Sequence, residues 1–325
     1  MTIILNREGS FFMRNLSINI TSKCNAECKH CCFSCSPYSN VELSKEEVWN
    51  AVNYGIRNEE IKEIAITGGE PLLYENLVCD IIKKISDSGK IVTCITNGFW
   101  GKNKLVAKEK LKKLSDLGLK FLTISCDEFH NEYIDIECIN NILEASLELP
   151  IRVSINMTVT KSKNGNELLF KLKDNLLGIP VTRFSAEPVG NARDISKEEL
   201  YYKLSYNNKM KCSEPTSGLV IHHDGYVYPC CSPLVFETIL KIGSIRNYTL
   251  EELDKKFNSN ILIYIIKKEG LSWFVEKCKD KGIHKFNDKY ISSCHLCYEI
   301  FKNDYIANLL IDDIKEYCEY EVQKV

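Results

Sequence analysis

Residues 63–71 of the chain read EIAITGGEP, an apolar, β-branched run that ends in two glycines. An amphipathic stretch, Leu77–Ser88, and a second β-branched run, Ile91–Thr96, follow it. A strand, a helix and a strand at this spacing predict a βα unit, and successive βα units impose a parallel sheet with right-handed crossovers. The six strands predicted in this way are Leu16–Ile20, Glu63–Thr67, Ile91–Thr96, Phe121–Ser125, Val153–Thr160 and Val181–Ser185.

The gaps between these strands hold amphipathic stretches that predict helices. They are Ser44–Ile56, Leu77–Ser88, Lys104–Leu117, Ile136–Leu147 and Glu167–Leu176. Six strands are too few for the eight of a closed TIM barrel, so the fold class is α/β with either a partial barrel or an open doubly wound sheet. In both architectures the carboxyl ends of the strands face the active site.

Composition excludes several classes of protein. The 325 residues are 44% hydrophobic and 26% charged, which excludes disorder, collagen and coiled coil. The net charge of −2 gives no global attraction to nucleic acid or an anionic membrane. No apolar run approaches the roughly 18 residues that span a bilayer, and Met1–Arg14 does not resemble a secretory signal. We expect a cytoplasmic protein without a nucleic-acid or membrane partner.

The α/β pattern stops near Arg193. Two β-prone segments, Leu219–Ile221 and Tyr226–Tyr228, then flank an Asp-Gly turn, which predicts a hairpin. After Pro233 the sequence is mostly helical in pattern. We therefore expect an N-terminal extension at 1–14, an α/β domain at 15–205 and a smaller domain of hairpin and helices at 206–325.

Cysteine is unusually frequent, with 16 residues concentrated near the two ends of the chain. In a reducing compartment such thiols stay reduced unless a metal holds them. Cys24, Cys28 and Cys31 follow the first predicted strand at Cys-x3-Cys-x2-Cys spacing. Three thiolates can hold a [4Fe–4S] cluster and leave one iron open. A zinc site is the alternative, with a fourth ligand from Cys32, Cys35 or His30.

The second strand ends in Gly68-Gly69-Glu70-Pro71. Glycines at the carboxyl end of a strand let a ligand approach the backbone closely, and the carboxylate of Glu70 can accept from an amine or hydroxyl. A simple turn is the alternative for this motif when it is taken alone.

The three-cysteine loop followed by Gly-Gly-Glu-Pro resembles the signature of the radical S-adenosylmethionine (SAM) superfamily. The resemblance implies a partial (β/α)6 TIM-like barrel in which Cys24, Cys28 and Cys31 bind a [4Fe–4S] cluster. It also implies that the SAM site is lined by Gly68, Gly69, Glu70 and the strand-end residues Asn97, Ser125, Asp127 and Asn156. His30 stands where the family usually has an aromatic residue, and we interpret it as a planar ring of the same role.

The chemistry that the resemblance implies begins with one electron passing from the reduced cluster to SAM. Cleavage of the sulfonium then yields a 5′-deoxyadenosyl radical that abstracts hydrogen from an unactivated C–H bond. The protein supplies orientation and exclusion of water, while the cofactor supplies the reactivity. The electron donor is expected to be a flavodoxin or a ferredoxin.

The C-terminal cysteines resemble the auxiliary-cluster domain (SPASM or twitch type) of radical SAM enzymes that modify peptides. We expect Cys212, Cys230, Cys294 and Cys297 to hold a second [4Fe–4S] cluster, with structural zinc as the alternative. Cys278 lies in a helical pattern that favours a buried core thiol. Cys231 follows the expected ligand Cys230 and is not part of this ligand set.

Residues 222–233 (HHDGYVYPCCSP), 97–101 (NGFWG) and 31–33 (CCF) resemble the radical SAM peptide epimerases that act on epipeptides. The similarity extends from about Asn15 to about Cys297. It implies that the radical removes a Cα hydrogen from an L-residue of a ribosomally made precursor peptide. Cys231 then returns a hydrogen on the opposite face to give the D-residue.

One departure concerns substrate binding, since relatives have an acidic residue just before the His222–Gly225 turn and this chain has Gly218–Ile221. No peptide-recognition domain is expected ahead of the barrel, so the barrel mouth and the segment Lys241–Lys289 would bind the peptide. Two alternatives remain. One is a peptide maturase that forms thioether or carbon–carbon crosslinks, and the other is a non-catalytic iron–sulfur or zinc protein.

Overall fold

The computed structural model of the chain describes residues 14–206, 210–212, 218–284 and 286–323. The expected extension at 1–14 therefore lies, apart from Arg14, outside the described residues. The chain divides into two compact units. The first contains Arg14–Tyr201 and Ile221–Gly225, and the second contains Tyr202–Val220 and Tyr226 onward. We expected the boundary between the two domains near residue 205, and in the structure the main segment of the first unit ends at Tyr201. The turn at 221–225 also belongs to the first unit.

Residues 14–201, described without a gap, alternate strands and helices. The strands are β1 (Arg14–Asn19), β2 (Ile61–Thr67), β3 (Ile91–Thr96), β4 (Phe121–Ser125), β5 (Arg152–Val159) and β6 (Val181–Ser185). The helices are α1 (Lys45–Arg57), α2 (Glu75–Asp87), α3 (Lys104–Asp116), α4 (Ile136–Ser146) and α5 (Asn166–Leu172). All six predicted strands and all five predicted helices are confirmed, with ends that differ by a few residues.

The order of the strands distinguishes the two architectures that the sequence allowed. Each of β1 to β5 pairs in parallel with the next strand along the chain, so the order runs from β1 to β6. A doubly wound sheet reverses its order at a switch point, whereas sequential order with right-handed crossovers places every helix on one face. Neighbouring helices contact each other accordingly, α1 with α2, α3 with α4 and α4 with α5. The first unit is therefore a partial (β/α)6 barrel.

The two faces of the strands differ in burial. On the outer face, Leu16, Ile64 and Ile124 are fully buried. A Cβ at Gly55 of α1 would lie 2.7 Å from Ile64 and 2.8 Å from Leu16, so the helix packs directly on these side chains. The other face alternates with this one and is only half-buried, which leaves it lining the interior of the barrel.

The second unit combines short strands with helices. The strands are β7 (Leu204–Ser205), β8 (Gly218–Ile221), β9 (Tyr226–Tyr228), β10 (Gly243–Ser244) and β11 (Lys289–Tyr290). The helices are α6 (Leu250–Asn258), α7 (Ile261–Lys268), α8 (Leu271–Asp280), α9 (Ser293–Phe301), α10 (Tyr305–Leu309) and α11 (Ile311–Gln323). Strands β8 and β9 are neighbours, as the predicted hairpin requires. Among the described residues, no helix has both the length and the apolar character needed to cross a membrane.

Candidate active site and cysteine clusters

The cysteine loop follows β1, at the carboxyl end of the barrel strands. Cys24, Cys28 and Cys35 are buried together with Phe129 in a small apolar cluster, and Cys31 packs against it. The loop is closed by its own backbone, since the amide of Cys31 donates to the carbonyl of Cys28 at 3.0 Å. The three predicted cluster ligands therefore lie at one site.

The protonation of these thiols differs. Burial raises the pKa of Cys24 to about 11, and burial likewise raises the pKa of Cys28. Hydrogen bonds from Cys35 lower the pKa of Cys31, and one of them is donated by the Cys35 backbone amide at 3.3 Å from the sulfur. Metal binding converts buried neutral thiols to thiolates. Cys24, Cys28 and Cys31 can therefore serve as three thiolate ligands, which suits an iron–sulfur cluster.

The two glycines after β2 accommodate the cysteine loop itself. A Cβ at Gly69 would lie 2.3 Å from the carbonyl oxygen of Lys23, and one at Gly68 would lie 2.7 Å from that of Thr21. The Gly69 amide donates to Thr21 at 2.6 Å, and the Glu70 amide donates to Lys23 at 2.9 Å. The sequence indicated a close approach by a ligand. In the structure the nearest approach is by the segment that leads into Cys24.

The carboxyl group of Glu70 is fully buried. It accepts hydrogen bonds from the amide of Leu72 at 2.9 Å, the hydroxyl of Thr96 at 2.9 Å and the amide of Asn97 at 2.7 Å. Burial raises its pKa to about 7 against the opposing effect of these bonds. Both carboxyl oxygens thus bind protein groups, which ties the end of β2 to the end of β3.

The four other strand-end residues divide into two pairs. Ser125 and Asn156 are half-buried neighbours in register on β4 and β5, on the interior face of the barrel. Asn97 and Asp127 are buried and bind protein groups. One carboxyl oxygen of Asp127 accepts from the Thr158 amide at 3.0 Å. The first pair therefore lies on the interior face of the barrel, and the second binds the protein at the strand ends.

His30 belongs to a buried network that the sequence did not predict. Its ring stacks on Phe129, with centroids 4.9 Å apart and 8° between the planes. Its Nε2 lies 3.4 Å from Oδ2 of Asp127, and Nδ1 of His130 lies 2.9 Å from the same oxygen. Although burial alone would raise it, the pKa of Asp127 is held well below its usual range by His130 and His30. The ring that replaces the usual aromatic residue is thus fixed by stacking and by a carboxylate.

The loop after β6 also contacts the cysteine loop, which no sequence signal indicated. The backbone amide of Asn191 donates to the carbonyl of Cys31 at 3.0 Å, and its side chain donates to the carbonyl of Cys28 at 3.2 Å. Gly190 has a φ of +57°, and a Cβ there would lie 2.5 Å from the Cys31 carbonyl oxygen. This loop holds the cysteine loop from the other edge of the barrel.

In the second unit, four cysteines are among the residues that line one apolar cavity of about 50 Å³. They are Cys212, Cys230, Cys294 and Cys297. Burial raises the pKa of Cys230 to about 12, and burial raises the pKa of Cys297 well above its usual range. The neighbouring cysteines raise both pKa values further. Such a set can hold a metal cluster once the thiols are deprotonated.

Three other described cysteines of this unit, Cys231, Cys278 and Cys318, lie outside the cavity lining. Cys278 is fully buried in α8 and belongs to the hydrophobic core of the unit, as the helical pattern predicted. Cys231 is exposed, whereas Cys230 beside it faces the cavity.

Comparison with known proteins identifies the superfamily. Residues 18–169 match the Radical SAM superfamily, and residues 212–298 match SPASM, an iron–sulfur cluster-binding domain. The chain is 37% identical over 313 residues to "Putative peptide biosynthesis protein YydG" of Bacillus subtilis (strain 168), covering 94% of this chain and 98% of that protein. The chain belongs to the radical SAM superfamily.

Two other known proteins are also similar to this chain. The chain is 34% identical over 252 residues to a GTP 3′,8-cyclase of Campylobacter jejuni, covering 71% of this chain and 76% of that protein. The crystal structure of Streptococcus suis SuiB bound to precursor peptide SuiA has a TM-score of 0.56 at 15% identity, and the match covers 87% of this chain and 76% of SuiB. The similarity to SuiB is evidence for the fold alone.

Membership of the radical SAM superfamily, with its SPASM domain, defines the cofactors. They are SAM, a [4Fe–4S] cluster in the barrel and a second [4Fe–4S] cluster in the SPASM domain. The zinc alternatives at both cysteine sites are therefore wrong. The alternative of a non-catalytic iron–sulfur or zinc protein is also wrong.

Proposed function

We propose that this radical SAM enzyme is a peptide epimerase that converts L-residues to D-residues in a ribosomally synthesised precursor peptide, with Cys231 as the hydrogen donor. The observation that carries the proposal is the difference between two adjacent cysteines. Cys230 lines the four-cysteine cavity, and Cys231 is exposed outside it. Four thiolates complete a [4Fe–4S] cluster, so the ligand set does not need Cys231.

The proposed cofactor residues follow from their positions. Cys24, Cys28 and Cys31 would hold the barrel cluster, and Cys212, Cys230, Cys294 and Cys297 would hold the second one. Gly68, Gly69 and Glu70 with Ser125 and Asn156 would border the SAM site, while Asn97 and Asp127 would support it from behind. When bound, SAM and the reduced cluster supply a 5′-deoxyadenosyl radical able to abstract a hydrogen atom.

The interior of the barrel supports a peptide as the substrate. On the neighbouring strands β4 and β5, the cation Arg152 lies at the amino-terminal end of the barrel, where its guanidinium lies over Phe121. The residues of these two strands nearer the active site include the small, neutral Thr123, Ser125 and Ser154. A triphosphate such as GTP requires several cationic partners, whereas hydroxyl groups can bind peptide amides. The likeness to the peptide biosynthesis protein agrees with this choice.

Generation of the 5′-deoxyadenosyl radical would consume one electron from the donor, and the hydrogen atoms and electrons that follow balance in three steps. A Cα–H bond of the L-residue breaks, and its hydrogen forms 5′-deoxyadenosine. The S–H bond of Cys231 then breaks as a new Cα–H bond forms on the opposite face. The resulting thiyl takes up one electron, from a donor of the flavodoxin or ferredoxin class, and one proton, which restores the thiol.

The experiment that tests this function uses heavy water. The reconstituted holoenzyme is incubated anaerobically with SAM, a reductant and peptides encoded by short open reading frames beside its gene. The product is returned to ordinary water, so that only carbon-bound deuterium remains, and is weighed by mass spectrometry. Because the Cys231 thiol exchanges with solvent, epimerisation adds one mass unit per inverted residue.

The alternative outcomes have different masses. Thioether or carbon–carbon crosslinking removes two hydrogens and lowers the mass by two units, which would refute epimerisation. An unchanged mass for every peptide, with abundant 5′-deoxyadenosine, would also refute it. Omission of SAM is the control, and it should leave the peptide unaltered.

A further inference from the structure

We propose that Asn97 is a positioning residue for the barrel cluster, acting through a hydrogen bond from its side-chain amide to the sulfur of Cys24. Its Nδ2 lies 3.7 Å from Cys24 Sγ, and both residues are buried. The sequence analysis expects Asn97 to line the SAM site, and in the structure its side-chain amide is directed to Asn25 and Cys24. The inference rests on the assignment of Cys24 as a cluster ligand in the proposed function.

The orientation of the Asn97 side chain is fixed by its other partners. Its Oδ1 accepts from the amide of Phe99 at 3.1 Å, so the nitrogen must face the cysteine loop. The same Nδ2 donates to Oδ1 of Asn25 at 2.9 Å. Since an amide nitrogen carries two hydrogens, it can serve Asn25 and Cys24 together.

Glu70 holds the backbone of Asn97 in place. Its Oε2 accepts from the Asn97 amide at 2.7 Å, and its Oε1 accepts from the hydroxyl of Thr96 at 2.9 Å. The side chain of Trp100 donates to that hydroxyl oxygen at 3.3 Å. The Glu70 carboxylate thus fixes the end of β3, and the side-chain amide of Asn97 reaches Cys24 from that strand end. Glu70 therefore acts on the cluster through Asn97.

A hydrogen bond to a ligand sulfur affects the reduction potential of an iron–sulfur cluster. Donors to sulfur stabilise the more negative, reduced form and raise the potential. The effect is larger in a buried site because the local dielectric constant is low. Asn97 should accordingly make this cluster easier to reduce than it would be without the amide.

The test measures the midpoint potential of the barrel cluster by redox titration with electron paramagnetic resonance. Full-length, reconstituted Asn97→Ala and Asn97→Asp proteins are compared with the parent in the absence of SAM and peptide. We expect a more negative potential for Asn97→Ala and a still more negative one for Asn97→Asp, since a carboxylate replaces the donor. The potential reports on the loaded fraction, so incomplete loading does not obscure the result.

Asn141→Ala is the matched control. Asn141 is also a buried asparagine, and its side chain donates to the carbonyl of Gly101 at 3.0 Å, in the loop that begins at Asn97. The substitution removes a comparable hydrogen bond to the same loop, and its acceptor is a backbone carbonyl rather than the sulfur of a proposed cluster ligand. We expect the cluster potential of this variant to equal that of the parent.

Two results would overturn the inference. One is an unchanged potential in Asn97→Ala together with weaker SAM binding, which would make Asn97 a SAM contact. The other is a Cys24→Ala protein that retains the full iron content, which would remove the ligand on which Asn97 acts. Neither measurement uses a peptide, so failure of this inference is distinct from failure of epimerisation.

Discussion

Replacing Cys231 with alanine is expected to leave SAM cleavage intact and to reduce D-residue formation to background. The radical would still abstract the Cα hydrogen, because the barrel residues are unchanged, but no thiol would return a hydrogen on the opposite face. Cys231 is exposed, and exposed substitutions usually change stability by less than about 0.5 kcal/mol. The measurement is 5′-deoxyadenosine by chromatography and D-residues by chiral amino-acid analysis of the hydrolysed peptide.

Two further variants control this experiment. Cys231→Ser keeps the shape but offers an O–H bond too strong to donate hydrogen to a carbon radical, so it should behave like Cys231→Ala. Cys318→Ala removes a half-buried cysteine of α11 and should retain full activity. D-residues formed at the parental rate by Cys231→Ala would show that another group donates the hydrogen.

Replacing Cys28 with alanine is expected to abolish both the barrel cluster and the production of 5′-deoxyadenosine. Two remaining thiolates cannot hold a cubane that needs three protein ligands, so the iron content should fall from about eight to about four per chain. Iron analysis and the electron paramagnetic resonance spectrum of the reduced protein measure the loss. The second cluster should persist, because its proposed ligands lie in the other unit.

Cys32→Ala is the matched control for this variant. Cys32 is a half-buried cysteine next to Cys31 in the same loop, and it is not a proposed ligand. Its replacement should leave the iron content and 5′-deoxyadenosine formation near parental levels. If Cys28→Ala kept both, the assignment of the loop as the radical SAM site would be contradicted.

The fold of the barrel was largely predictable because local signals agree with the packing. The strands alternate between buried and half-buried residues, which gives the period-two pattern in the sequence. Helix α1 begins at the capping box of Ser44 and Glu47, so its start is specified locally. The predicted fifth helix was too long, because its last turn is a 3₁₀ segment, Lys173–Asn175. The pattern of polar and apolar residues does not distinguish this segment from a further turn of α-helix.

The spatial arrangement of the site was less predictable, because a strand-end position does not fix the direction of a side chain. Glu70, Asn97 and Asp127 were placed correctly at strand ends, but their polar groups bind the protein. The contact of Asn191 with the cysteine loop joins residues far apart in sequence and has no local pattern. The two-residue strands β7, β10 and β11 are too short to give a periodicity.

The position of deuterium in the product tests the proposed epimerisation most directly. After reaction in heavy water, the peptide is hydrolysed, its D-residues are separated by chiral chromatography, and the Cα isotope is determined by mass spectrometry. Hydrogen return from Cys231 predicts one deuterium at the Cα of every D-residue and none at unreacted L-residues. D-residues with ordinary hydrogen at Cα, or a modified peptide without D-residues, would contradict the account.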